Sequence, residues 1–214
     1  MNIARSDVRD AGRYFEPWIG SAFGRNNNAL GGLRLMIVGE SHYCPNEPHA
    51  VGTCTPGRTR DCVKEGAIDG SWSYFTRILY LISGRRKSEI TANLNEEFWN
   101  SVAFYNFVPV FVAESARKRP RRWMWSASYD PFNLITREIA PEAMLVTGWD
   151  LWWYVMDASP GGVKANNPAK DFNRIGGALS ARIRHPSAPR FSIEKERCIS
   201  KQLMEDASNG GMAI

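Results

Sequence analysis

Residues 33–43 read Leu-Arg-Leu-Met-Ile-Val-Gly-Glu-Ser-His-Tyr. Leu33–Val38 is a continuous apolar run interrupted by one Arg. A short run without polar alternation describes a strand buried on both faces, as in a parallel sheet. The run stops at Gly39, and a carboxylate, Glu40, follows at once. Three more stretches read as strands. Phe104–Val112 (FYNFVPVFV) is rich in aromatic and β-branched residues, and Ala143–Thr147 (AMLVT) is apolar throughout. Leu179–Arg184 alternates Leu179, Ala181 and Ile183 with Ser180, Arg182 and Arg184, the pattern of an edge strand.

Helical spacing separates these runs, over Phe15–Phe23, Ser71–Ile82, Asn95–Val102, Asp130–Ile139, Trp149–Met156 and Ile193–Ala207. Ser71 stands where an N-cap belongs, and Pro131 suits a first helical position. Strands alternating with helices predict an α/β fold, a three-layer α/β/α sandwich around a four-stranded, mostly parallel sheet. No repeat or long linker divides residues 1–214, so a single domain is expected. Ser41–Gly70 and residues 157–176 read as loops, the first long enough to suggest function.

Composition narrows the function classes. The 214 residues include 43% hydrophobic and 23% charged side chains, which suits a folded core rather than a disordered tail. No apolar stretch is long enough to span a bilayer, and the N-terminus lacks a signal-like apolar segment, so a cytoplasmic protein with no membrane partner is expected. Lys and Arg number 27 against 22 Asp and Glu. The excess is clustered, at Arg117, Lys118, Arg119, Arg121 and Arg122, at Arg85–Lys87, and at Arg182, Arg184 and Arg190. Three clusters favour a phosphate-facing surface and hence a nucleic-acid partner. Trp123 and Trp125, beside the first cluster, are stacking candidates, whereas Trp149, Trp152 and Trp153 read as core.

Cys44, Cys54 and Cys62 share a segment with His42 and His49 but lack the closely spaced pairs of tight zinc sites. Neither a metal nor an organic cofactor is expected, and no P-loop, GxGxxG or HExxH motif is present.

In parallel sheets, ligands sit beyond the carboxyl ends of the strands. Applied here, the rule selects Gly39–Tyr43, Asn106, Gly148–Trp149 and His185–Phe191. A carboxylate that activates water, an amide that reads a planar edge, and an imidazole that stabilises developing charge suit hydrolysis around a flipped nucleobase.

On these residues the chain resembles the uracil-DNA glycosylase superfamily. Gly39-Glu40-Ser41-His42-Tyr43 stands where the family carries its first motif, commonly GQDPY. His185-Pro186-Ser187-Ala188-Pro189 resembles its second, commonly HPSPLS. Asn106 in FYNFVPV resembles the base-reading Asn between them, and AMLVTGWD the family's apolar strand before a turn.

The resemblance implies a DNA glycosylase acting in base-excision repair on single- or double-stranded DNA, and a monomer without a cofactor is expected. His185 would stabilise the departing base, Asn106 would read it, and Tyr43 would close the pocket. Gly39, Ser41, His42 and Ser187 would line that pocket. Pro189, Arg190 and Phe191 would press into the duplex. Ser41 replaces the family's water-activating Asp, which leaves Glu40 as the base, and His42 replaces the usual Pro. Two alternatives stand beside this reading: a non-catalytic nucleic-acid binder, and a small-molecule hydrolase using Ser41 with His185.

Overall fold

The computed structural model describes residues 14–43, 54–113, 118–159 and 171–210. In chain order the elements are β1 (Trp18–Ile19), β2 (Leu35–Tyr43), and α1 (Arg58–Val63), which runs into a π-helical turn (Lys64–Ile68). Next come α2 (Ser73–Ser83), a 3-10 turn (Lys87–Glu89), α3 (Ala92–Asn100), β3 (Ala103–Ala113), α4 (Arg122–Ala127) and α5 (Tyr129–Ile139). The chain continues through β4 (Ala143–Thr147), α6 (Trp149–Ala158), β5 (Phe172–Ile175), β6 (Ala178–Ile183) and α7 (Ile193–Ser208).

The protein is α/β, with one sheet in the order β1-β3-β2-β4-β6-β5. The four inner strands are mutually parallel, and β1 and β5 join the edges antiparallel. The sheet is therefore mixed and six-stranded, which corrects the expected four strands. Both added strands were hidden by their shortness. The apolar spacing of Phe15–Phe23 imitates a helix, yet Trp18 and Ile19 pair with Phe104 and Ala103. Gly20 then packs so closely on the Asn100 backbone that a side chain there would overlap it. β5 carries only Phe-Asn-Arg-Ile, inside a segment dominated by loop residues.

Pleating divides the core. Leu35 and Ile37 face a cluster with α2, α3 and α7, including Phe75, Ile78, Trp99 and Leu203. Met36 and Val38 face the opposite cluster with α4, α5 and α6, including Trp125, Phe132, Leu151 and Trp152. Helices thus cover both faces, which is why the inner strands are apolar on every side. In α2, Phe75, Ile78, Leu79 and Leu81 are buried; each contributes about 1.5–3 kcal/mol. The N-cap of α2 is Trp72 in extended conformation, one residue beyond the expected Ser71, and the helix stops at left-handed Gly84.

Two further expectations change. β6 lies between β4 and β5 rather than at an edge. Its alternating arginines are accommodated because Arg182 donates to Asp171 at 2.8 Å and lies under the Trp149 ring at 4.7 Å. The chain after Gly39 is also not loop. β2 continues to Tyr43, with register shifts at Ser41/His42 and His42/Tyr43, and residues 58–68 are helical. No helix among the described residues is long and apolar enough to cross a membrane.

Candidate functional site

A cavity of about 480 Å³ opens at the carboxyl ends of the parallel strands. β2 stands at the switch point of the sheet. The connection after it runs through α1–α3 on one face, and the connection after β4 runs through α6 on the other. Such a switch leaves a crevice for ligand. Glu40, Ser41, His42 and Tyr43 line it from β2, Asn106 from β3, His185 and Ser187 from the turn after β6, and Tyr74 and Phe75 from α2.

Gly39 is what lets these residues meet. It is the register partner of Asn106 on β3. A Cβ at Gly39 would overlap the Asn106 Oδ1 and come within 3.1 Å of the Tyr74 hydroxyl. The absent side chain therefore lets the carboxamide fold over the strand. Asn106 is 6% exposed, and its carboxamide has no hydrogen-bond partner among the described residues. An amide in that state is set to read a ligand edge, because it offers both donors and an acceptor.

His185 is oriented by its own turn. The Ser187 amide donates to His185 Nδ1 at 3.1 Å. Nδ1 is thereby an acceptor, so the neutral ring carries its proton on Nε2. Burial first, and then the charge of Arg119, push the His185 pKa down to about 4. The ring is neutral at physiological pH, with an N–H to donate. The turn is pinned by Arg77, which donates to the Pro186 carbonyl and lies 5.8 Å from the Phe191 ring centre.

Glu40 is partly enclosed, with 18% of its side chain exposed. Burial raises its pKa, Arg119 opposes that rise, and Asp150 adds to it. Arg119 Nη2 lies 3.3 Å from Glu40 and 2.8 Å from Asp150. One cation of the basic run thus reaches back to hold two carboxylates.

Tyr74 completes a directed chain. Thr147 Oγ1 donates its proton to the Val38 carbonyl at 2.9 Å, so the Tyr74 hydroxyl, 2.8 Å away, donates to Thr147. Its own oxygen then has only lone pairs left to offer. Burial is the main reason its pKa rises.

No protein-family model matches the chain, and no curated protein matches it. The site therefore rests on its own geometry.

The remaining sequence candidates are scattered. Lys118, Arg121 and Arg122 are exposed near the start of α4, and Arg117 lies outside the described residues. Trp123 is exposed, but Trp125 is buried and stacks on Tyr154 at 4.1 Å. Trp149 and Trp153 are half exposed, against the expectation that they are core, while Trp152 is fully buried. Arg85–Lys87 follow the far end of α2, away from the cavity. Pro189 and Arg190 are exposed, whereas Phe191 packs against the core.

Ser41 Oγ is buried without a hydrogen-bond partner, so no bond joins it to His185. His42 is buried between Thr59, 3.0 Å from Nε2, and Cys62 Sγ, 3.6 Å from Nδ1. Among the described residues no group of three His, Cys, Asp or Glu is placed to hold a metal ion. Cys44 and His49 lie outside them.

Sequence reasoning missed Arg58, Glu65, Tyr74 and the pairing role of Arg119. Only the tertiary fold carries Arg58, Glu65 and Tyr74 to the cavity and Arg119 to Glu40. No local spacing signals them.

Proposed function

We propose that the protein is a DNA glycosylase-like hydrolase, a divergent relative of the uracil-DNA glycosylase superfamily, that cleaves the N-glycosidic bond of an extruded base. The observation that carries this reading is the convergence of Glu40, Asn106 and His185 on one cavity. They lie far apart in sequence, Glu40 on β2, Asn106 within β3 and His185 in the turn after β6. Their chemistry matches the three demands of the reaction.

In this mechanism Asn106 holds the edge of the base. Glu40, as carboxylate, accepts a proton from a water whose oxygen forms the new bond to the sugar C1′. The C1′–N bond breaks, and its electron pair leaves with the base. The Nε2 proton of neutral His185 stabilises the charge that develops on the base carbonyl. A neutral donor suits that task, because it need not give up its proton to be effective. The exposed Lys118, Arg121, Arg122 and Arg190 serve as phosphate contacts for DNA.

Oligonucleotides carrying uracil, hypoxanthine or xanthine test the reading. Cleavage at the resulting abasic site is the expected product, with Glu40→Gln slower by about 10²–10⁴-fold. Intact oligonucleotide with every base would overturn it. The Glu40–Arg119 ion pair favours a second reading, a non-catalytic nucleic-acid binder in which the carboxylate is permanently occupied. That reading predicts salt-sensitive DNA binding without turnover, undiminished in Glu40→Gln.

A further inference from the structure

The mechanism above uses only part of the cavity lining. Arg58, Cys62, Glu65 and Trp72 line the same cavity from α1, the π-helical turn and the start of α2. Arg58 is the unusual member. Its side chain is only 20% exposed, and its one paired carboxylate among the described residues, Glu65, stands 3.7 Å away and is itself 56% exposed. The Arg58 Nε is enclosed with no hydrogen-bond partner. Its terminal nitrogens make no hydrogen bond among the described residues either.

A guanidinium carries five donors and keeps its charge at all relevant pH. One held mostly out of water without an acceptor is costly unless something else completes it. Arg119, the arginine paired with Glu40, differs because two carboxylates already hold it. The neighbouring His42 is neutral, since burial and then Arg58 push its pKa down to about 3. Trp72, 46% exposed, adds a flat apolar wall. A cavity of about 480 Å³ falls in the range that encloses a whole small ligand.

We propose that Arg58 binds an anionic oxygen group, a phosphate or a carboxylate, carried by the same ligand whose ring lies against Asn106 and His185. The placement of the ring rests on the glycosylase-like reading, whereas the anion site does not. The preferred ligand is then a nucleotide or a carboxylated base rather than an uncharged one. Phosphate and carboxylate both match the planar fork of the guanidinium. Glu65 is the local competitor, too distant and too solvated to satisfy the fork.

Titration calorimetry on the full chain tests this. The probes are inorganic phosphate, the deoxynucleoside 5′-monophosphates of adenine, guanine, cytosine, thymine, uracil and hypoxanthine with their nucleosides, and 5-carboxyuracil with uracil. A charged probe binds at least about tenfold more tightly than its uncharged counterpart. The nucleotide arm identifies phosphate as the source and the carboxyuracil arm identifies carboxylate. Arg58→Gln removes the advantage and leaves uncharged probes unchanged, Arg58→Lys keeps part of it, and Glu65→Gln increases it. Should Arg58→Gln fail to fold, the Lys and Glu65 variants carry the same comparison.

Equal binding of charged and uncharged probes, or an advantage that survives loss of the guanidinium, overturns the anion site and leaves the base reading intact. Arg58-dependent phosphate binding with no affinity for any heterocycle keeps the anion site and removes the base reading. No binding of any probe overturns both.

Discussion

A missing methyl group decides whether Asn106 can reach the cavity. Because a Cβ at Gly39 would meet Asn106 Oδ1, Gly39→Ala must push the carboxamide aside or distort β2. We expect a loss of about 1–3 kcal/mol by denaturant unfolding, together with loss of base binding, whereas Ala substitutions on exposed α7 positions leave both unchanged. Arg119 acts at the same scale through charge. It lowers the Glu40 pKa against the burial that raises it. A carboxylate base works only when ionised, so the rate falls as pH drops through the Glu40 pKa. Arg119→Ala removes the opposing charge and moves that acid limb to higher pH. A kcat/KM profile across pH 4–8 reads the shift, and an unmoved limb would exclude Glu40 as the titrating base.

Elements place these residues by how they end. β2 does not stop where its apolar run stops. Its register shifts turn the last residues toward the cavity, so that Glu40, Ser41, His42 and Tyr43 all line it despite the strict alternation of a flat strand. The π-helical turn does the same for α1. Gly66 lies so close to the Trp72 ring that any side chain there would overlap it, and the Trp72 amide donates to the Gly66 carbonyl at 2.9 Å. At the far end of α5 the chain leaves through Ala140, whose φ of 47° lies in the left-handed region. A Cβ is penalised there and glycine is not. Ala140→Gly should therefore stabilise the fold by up to about 1 kcal/mol, after the larger entropy loss of glycine is subtracted. A rise in thermal midpoint with unchanged site chemistry is the measurement.

For the molecule as a whole, two buried imidazoles set the response to acid. His42 and His185 have folded pKa values of about 3 and about 4, both below the ordinary 6.5. Between those values and 6.5 the unfolded chain binds protons that the folded one does not. Stability therefore falls as pH drops from about 6.5 toward 4, and does not change with these groups above pH 7. Down to about pH 4 the two imidazoles contribute comparably, each on the order of a few kcal/mol. Urea melts at pH 7 and pH 4.5 should show the loss, and His42→Gln should reduce it while the His185 share remains. A wild-type chain equally stable at both values would refute the assignment.

How much of this was legible beforehand differs from residue to residue. Leu33–Val38 marked a doubly buried strand because an unbroken apolar run has nowhere else to go, and the strand-end rule then selected Glu40 and His185. Trp18–Ile19 and Phe172–Ile175 were not legible, since pairs and quartets of residues carry no period. Arg182 misled, because alternation with charge describes an exposed face unless an acidic neighbour such as Asp171 accompanies the Arg inward. The linear chain by itself determined the α/β alternation and the polar residues at the strand ends. Those follow from local hydrophobic patterning. Only the tertiary structure decided that Arg119 holds Glu40, that Gly39 makes room for Asn106, and that Arg58 lines the cavity with no hydrogen bond among the described residues. Each is a contact between segments distant in the chain, and the energy of such a contact depends on close approach, which no local pattern encodes.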